Sequence, residues 1–351
     1  MRLITNFNTF IIPTIYICFK TIYPKDKGLM RKYTSIEVCA GAGGQALGLE
    51  MAGFNHVAAV EIDKYACATL RENRPHWNVY EGDLDDWIDS YSLQHIGVDL
   101  VAGGIPCPPF SVAGRQLGNS DERDLFPVMV KLVSIIRPRA VMIENVKGLL
   151  NPKFKDYRQD LNDQFSDMGY TLYWKLLQAS DYGVPQLRPR VVIVGISSSE
   201  SGTFQFPTPQ TQPAPSVGEA LKDLMGANAW KGLHNWVSTA RTIAPTLVGG
   251  SKKHGGPDLG PTRARQAWAE LGINGSTLAL DAPDKDFEGM PRLTVPMAAR
   301  IQGFPDEWKI TGMKTNAYRQ VGNAFPPPVA AAVGREIISF LKESDKNKNG
   351  K

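Results

Sequence analysis

Cys107 stands between prolines in the stretch Gly103-Gly104-Ile105-Pro106-Cys107-Pro108-Pro109-Phe110-Ser111. Proline cannot extend a helix or donate within a central strand, so the thiol is carried on a stiff, turned loop. A thiol so placed suits a nucleophile; a small buried hydrophobe is the alternative reading. A second candidate is Glu144, which follows the apolar run Ala140-Val141-Met142-Ile143. A carboxylate there either caps a helix or does acid-base chemistry. A third constellation, Gly41-Ala42-Gly43-Gly44, follows the run from Ser35 to Ala40. Gly41, Gly43 and Ala46 fit the G-x-G-x-x-G/A fingerprint, in which the backbone turns tightly against a nucleotide-like ligand at a helix N-terminus. Glu61 and Asp83 end the next two apolar runs, where one carboxylate suits ribose hydroxyls and the other an adenine amino group.

These groups need strands to carry them. Strands are expected at 35–40, 57–60, near 79–80, 99–102, 140–143, 171–177 and 191–196, alternating with helices over 44–51 and 64–73. Two further helices are marked by Leu125, Val128, Met129, Leu132 and Ile136, and by Leu161, Phe165 and Met168. That alternation predicts an α/β fold with a doubly wound, mainly parallel sheet. Cys107 and Glu144 then lie past the C-terminal ends of their strands, where such sheets bind ligands. The catalytic and cofactor-binding part spans 34–196. Residues 197–291 are rich in Ser, Pro, Gly and Thr, with little helical periodicity beyond Val217 to Met225, and predict a smaller loop-rich domain. The chain returns to the first domain over 292–343, with a helix over 293–302, a loop at 319–323 and a last helix from Pro326. Val329, Val333, Ile337 and Leu341 give that helix one apolar stripe. Residues 344–351 read as a disordered polar tail.

The 351 residues are 42% hydrophobic, enough to bury a large core, and carry a net charge of +4 that permits an acidic partner without demanding one. Basic charge is local: residues 226–269 hold Lys231, Arg241, Lys252, Lys253, Arg263 and Arg265 against Asp258 alone. Such a segment suits nucleic-acid phosphates, with a solvated basic loop as the alternative. Cys18, Cys39, Cys67 and Cys107 have no metal-ligand or redox spacing, which implies a reduced compartment and no structural zinc. Residues 1–33 read as an extension outside the fold, with Met30 as the natural start. The apolar run from Phe10 to Phe19 is too short to span a bilayer and is broken by Pro13; a peripheral membrane contact is the lesser alternative.

Taken together, the blocks resemble the DNA (cytosine-5) methyltransferase family of bacterial restriction-modification type, over roughly residues 34 to 343. They come in the family's order: the glycine turn 41–44, Glu61, Asp83, Pro106-Cys107, Glu144-Asn145-Val146, Gln186-x-Arg188-x-Arg190, Arg300-Ile301-Gln302-Gly303-Phe304-Pro305 and Arg319-Gln320-Val321-Gly322-Asn323. The resemblance implies S-adenosyl-L-methionine as cofactor. Its site would comprise Cys39, Ala40, Gly41, Gly43 and Gly44 in the turn, Glu61 and Ile62, Asp83 and Leu84, Pro106, and Asn323. It also implies 197–291 as a target-recognition domain with double-stranded DNA as partner. The candidate DNA contacts are Ser111, Arg241, Lys252, Lys253, Arg263 and Arg265. Three departures stand out: Cys39 for the usual phenylalanine, Pro108 for a glutamine and Met297 for a glutamate.

The implied chemistry is addition of the Cys107 thiolate to carbon 6 of a flipped-out cytosine. Glu144 would meet ring nitrogen 3, Arg190 the carbonyl oxygen, and Arg188 would favour the thiolate. Such an enzyme would work as a cytoplasmic, nucleoid-associated monomer without metal, as the modification half of a restriction-modification system whose endonuclease acts separately. A nicotinamide-linked oxidoreductase fits the glycine turn and Glu61 equally well but leaves the cysteine loop and paired arginines without a role. A transfer-RNA methyltransferase shares the blocks, and the basic segment favours duplex DNA over it. An inactive DNA-binding module would require a broken nucleophile or acid, and both are present.

Overall fold

Apolar runs that alternate with helices in the sequence become the centre of one twisted sheet. The computed structural model describes residues 32–106, 124–250 and 256–349. Within them the chain runs β1 (Tyr33–Val38), α1 (Gly44–Ala52), β2 (Phe54–Glu61), α2 (Lys64–Asn73), β3 (Val79–Glu81), α3 (Leu84–Tyr91), β4 (Leu100–Gly104), α4 (Phe126–Ile136), β5 (Ala140–Val146), α5 (Lys155–Asp167), β6 (Tyr170–Gln178) and β7 (Pro189–Ser197). The sheet order is β3-β2-β1-β4-β5-β7-β6. The five strands from β3 to β5 are parallel, whereas β7 runs antiparallel to both neighbours. Winding reverses between β1 and β4, so a crevice opens at their C-terminal ends. The reversed β7 brings its own N-terminal end to the same edge: Arg190 lies opposite Val146 and Val192 opposite Glu144. The sequence showed a strand there but not its direction.

The chain continues through α6 (Val217–Met225), α7 (Leu233–Thr239), α8 (Thr262–Ala269), α9 (Val295–Ile301), α10 (Lys314–Asn323) and α11 (Pro327–Asn349). Three expectations are corrected here. Residues 319–323 form the last turns of α10 rather than a loop, because Ala317, Tyr318 and Val321 bury one face of it. Residues 344–349 continue α11 rather than forming a disordered tail. β1 begins at Tyr33, which is buried and so belongs to the fold, not to an N-terminal extension; residues 1–31 lie outside the described residues. The segment 197–291 holds two helices beyond the one expected. Its Trp230, Trp236 and Trp268 share an apolar cluster with Trp77 and Trp308, so its interior is continuous with the core beneath the glycine turn. The stripe Val329, Val333, Ile337 and Leu341 is fully buried, and α11 packs along α1. No described helix is long and apolar enough to cross a membrane.

The end of α11 is held by charge. Arg139 Nη2 lies 2.6 Å from Asp345 Oδ1 and 2.6 Å from Glu200 Oε2. Lys348 Nζ reaches Glu200 Oε1 at 2.8 Å, Ser344 Oγ donates to Glu200 Oε2 at 2.7 Å, and Tyr33 donates to Asp345. Burial opposes ionisation of Glu200, but donation from Arg139, Lys348 and Ser344 outweighs it and holds the carboxyl down at about 2. A depressed carboxyl adds stability above its unfolded value and loses it as pH falls through the folded one. Glu200→Gln is therefore expected to lower stability by about 3 kcal/mol at neutral pH. The gap to the wild type closes between about pH 4 and pH 2, as read from denaturant unfolding at a series of pH values.

Candidate functional site

The turn from β1 into α1 has left-handed backbone at Cys39, Gly41 and Gly43 (φ 51°, 53° and 84°). Only at Cys39 is a side chain paying for it. Glu61, at the end of β2, fastens this turn: Oε2 accepts from the Gly41 amide at 2.7 Å and Oε1 from the Asp63 amide at 2.7 Å. A cavity of about 230 Å³ lies over the turn, bordered on one side by Cys39, Ala40, Gly41, Gly44 and Glu61 and on the other by Gly104 and Glu144. Arg319, Gln320 and Asn323 of α10 close it. A Cβ built on Gly41 meets nothing within 4 Å, so that position faces open space, whereas one on Gly44 would lie 2.2 Å from the Phe325 carbonyl oxygen. Gly44→Ala is expected to push α1 off the α10–α11 connection and cost about 1–3 kcal/mol, measurable by thermal unfolding.

Of the predicted cofactor residues, Cys39, Ala40, Gly41, Gly44, Glu61 and Asn323 border this cavity together. Gly43 instead packs under Leu70 and Trp308, where an added Cβ would fall 2.6 and 2.9 Å from their side chains. Ile62 is exposed, Leu84 is buried in the first turn of α3, and Pro106 is exposed at the start of its loop. Asp83 caps α3, accepting from the Asp85 amide at 2.8 Å. The Cys39 thiol stays neutral: burial, then the charges of Glu61, Glu37 and Asp83, all push it up.

Across the crevice, Glu144 is buried at the C-terminal end of β5, with Arg190 Nε 2.7 Å from its Oε1. Burial raises the Glu144 carboxyl, and the pull of Arg190 and Arg188 only partly offsets it. The result is an acid that takes a proton more readily than a surface glutamate does. Asn145 donates from Nδ2 to the Ile105 carbonyl at 3.0 Å and accepts from the Val146 amide at 2.8 Å. It thereby ties the start of the Cys107 loop to β5. Cys107 itself lies outside the described residues, as do Ser111, Lys252 and Lys253. Arg241, Arg263 and Arg265 are exposed, the last two on α8.

Arg188 has a different place from the one expected. It is 1% exposed, and its guanidinium donates to the carbonyls of Leu247 at 2.9 Å, Gly322 at 2.9 Å and Ala324 at 3.0 Å. It bolts the 197–291 segment to the end of α10. Burial and the neighbouring Arg190 charge push its pKa well down, against the pull of Glu144. Gln186 extends the bolt, accepting from the Leu247 amide at 2.8 Å and donating to Gln302 at 2.7 Å, while Gln302 donates to the Ala324 carbonyl. Gly249 and Gly322 allow the same close approach, since a Cβ on Gly322 would lie 2.5 Å from Gly249. Met297 does the job of a capping glutamate: its sulfur accepts from the Thr294 amide at 3.4 Å. Sequence reasoning missed Glu37, Gln45 and Arg319, all of which border the cavity. For Glu37 the signal was a lone acid inside the apolar run of β1.

The family described as C-5 cytosine-specific DNA methylase matches residues 33–339. The chain is 55% identical over 316 residues to the Type II methyltransferase M.NaeI of Lentzea aerocolonigenes, covering 89% of this chain and 76% of that protein. It is 53% identical over 318 residues to the Type II methyltransferase M.NgoMIV of Neisseria gonorrhoeae, covering 90% of this chain and all 100% of that one. Among solved structures, a DNMT2 variant of Spodoptera frugiperda matches with a TM-score of 0.60 at 17% identity, over 87% of this chain and 99% of the other, a likeness of fold alone. With the glycine turn and the buried Glu144–Arg190 pair placed around one crevice, the chain belongs to the C-5 cytosine-specific DNA methylases, enzymes that methylate carbon 5 of cytosine in DNA.

Proposed function

We propose that the enzyme uses S-adenosyl-L-methionine, acts on a cytosine turned out of duplex DNA, and forms a covalent adduct through Cys107. The observation that carries this reading is Glu144, buried and paired with Arg190, beside a cavity floored by a glycine turn. The residues present fit the cofactor. Gly41 leaves open space where a side chain would intrude, Glu61 still has free lone pairs for ribose hydroxyls, and Glu37 and Gln45 present buried acceptor oxygens that lack donors among the described residues. When bound, the cofactor supplies an electrophilic methyl group.

Carbon 5 of cytosine is too weak a nucleophile until the ring is activated. Cys107 as thiolate adds to carbon 6. Glu144 delivers a proton to ring nitrogen 3 as charge develops there, and Arg190 steadies both that carboxyl group and the carbonyl oxygen of the base. Loss of the carbon 5 proton after methylation expels Cys107 and restores the ring. Arg188 acts at one remove, by holding the recognition segment against α10. Residues 197–291 serve as the target-recognition part, with Arg241, Arg263 and Arg265, together with Ser111, Lys252 and Lys253, meeting phosphates and base edges. Turning the base out costs about a few kcal/mol, which these contacts offset.

M.NaeI and M.NgoMIV are Type II methyltransferases, and this chain would serve likewise as the modification half of a restriction-modification system. It would do so as a cytoplasmic monomer on nucleoid DNA, with the endonuclease acting separately. DNA containing 5-azacytosine tests the covalent step, because such a base accepts the thiolate but has no carbon 5 proton to lose. The wild type is expected to form an adduct that survives denaturation and Cys107→Ala to form none. An adduct equally abundant with Cys107→Ala would overturn the assignment.

A further inference from the structure

The cavity holds an ionisable group that the steps above do not use. Glu37 on β1 is 1% exposed, and neither of its carboxyl oxygens has a hydrogen-bond partner among the described residues. Gln45, in the first turn of α1, repeats the pattern: its Nε2 lies 3.5 Å from the Met142 carbonyl oxygen, while its buried Oε1 meets no donor among the described residues. Both side chains border the cavity. The other polar side chains around it are engaged. Glu61 is held by the Gly41 and Asp63 amides, Glu144 by Arg190, and Asn323 donates to the Gly250 carbonyl at 3.2 Å. Arg319 donates to Asn316 at 3.0 Å and lies 3.5 Å from Asp63 Oδ2. Two buried acceptors are thus left for a donor that a ligand brings, since such groups are costly to leave unpaired.

Strand order points to which part of the cofactor reaches them. Along the sheet β2, β1, β4 and β5 follow one another, so Glu37 on β1 lies between Glu61 at the end of β2 and Glu144 on β5. With the ribose hydroxyls at Glu61 and the base at Glu144, the cofactor's sulfur falls between the two. The remaining substituent of that sulfur is the amino-acid chain, whose ammonium group carries three N–H donors and a positive charge. A carboxylate and an amide oxygen are acceptors that suit it. Without such a partner the neutral acid is favoured: burial, and then the charge of Glu144, push the Glu37 carboxyl well above the usual range. Around it, Glu61 and Glu144 are acids, the Cys39 thiol is neutral, and His56 of β2, lowered by burial, is spent on Ser35 and the Ala46 carbonyl. Arg188 and Arg190 act on Glu144, and Arg319 is drawn to Asp63.

We propose that Glu37 and Gln45 receive the ammonium group of the cofactor's amino-acid part, and that Glu37 releases its proton to solvent as that group enters. The assignment rests on the reading of S-adenosyl-L-methionine as cofactor. The O–H bond of Glu37 breaks, its proton passes to water, and the carboxylate left behind is neutralised by the ammonium charge. In the empty site the proton spares the buried acid an unpaired charge; in the filled site the ligand does. Cofactor uptake is thereby coupled to pH. Affinity is gained as pH rises toward the point at which the empty site would lose the proton unaided, and levels off beyond it.

Calorimetric titration of the wild type with S-adenosylhomocysteine, in buffers of different ionisation enthalpy, counts the protons released on binding. About one per bound ligand is expected near neutral pH. Affinity should rise by up to about tenfold per unit between about pH 6 and about pH 7.5, below the range in which an α-amino group loses its own proton. Glu37→Gln should release none, flatten that pH dependence and weaken S-adenosylhomocysteine at least about tenfold. The same variant should bind 5′-methylthioadenosine, which lacks the amino-acid part, as the wild type does, and Glu144→Gln should keep the proton release. Tight binding by the wild type without proton release, a release lost with Glu144 instead of Glu37, or a Glu37→Gln variant that weakens both ligands alike would overturn the assignment alone. A folded wild type that binds neither ligand would overturn the cofactor reading, and the assignment with it.

Discussion

Cys107→Ala is expected to lower methyl transfer by at least about 10⁴-fold, because no other described thiol can replace it. Cys39 borders the cavity but is held neutral by burial and by the acids around it, and Cys67 is buried with its thiol also pushed up, to about 12. Glu144→Gln is expected to cost about 10²- to 10⁴-fold, the range for loss of a positioned acid. It leaves Arg190 without the partner now 2.7 Å away. Both variants should bind the cofactor product S-adenosylhomocysteine within a few-fold of wild type, since the glycine turn is fastened by Glu61 and not by either residue. Calorimetric titration beside single-turnover rates separates the two effects. A Glu144→Gln enzyme with wild-type turnover would remove the acid from the mechanism.

Arg188→Met is expected to act on folding. It strips donors from three buried carbonyls at once, those of Leu247, Gly322 and Ala324, and the loss is about 3–5 kcal/mol. Against a total stability of about 5–15 kcal/mol, that should lower the melting temperature sharply and cut soluble yield. Arg188→Lys should rescue little, because a lysine ammonium does not reproduce the planar fork that reaches three acceptors. A well-folded Arg188→Met enzyme with the wild-type melting temperature and no turnover would restore the role suggested by sequence, a charge that favours the thiolate.

The contrast between these two predictions shows what a sequence reveals. The Cys107 loop, Glu144 and the glycine turn are punctuated locally, by prolines, by an acid after four apolar residues and by glycines after a strand. The positions of Glu144 and the glycine turn follow from the alternation of strands and helices alone. Arg188 and Arg190 sit two residues apart and look equivalent, yet one is spent on backbone carbonyls and the other on a carboxylate. The partners of Arg188 lie 59 and more residues away in the chain, and nothing local names them. The direction of β7, which puts Arg190 beside Glu144, is likewise set by tertiary pairing. The polar ends of α10 and α11 read as loop and tail because their stabilising contacts are distant: Gly249 against Gly322, and Arg139 against Asp345. Glu37 was legible as an oddity in β1, but only the fold shows that it borders the cavity.

The account is tested most directly by expressing the chain in a host that lacks cytosine methylation and mapping 5-methylcytosine base by base in the host DNA, with Cys107→Ala alongside. The expected result is methylation confined to one short sequence in cells carrying the wild type and none in cells carrying the variant. Unmodified DNA from cells that contain soluble, cofactor-binding wild-type protein would contradict it.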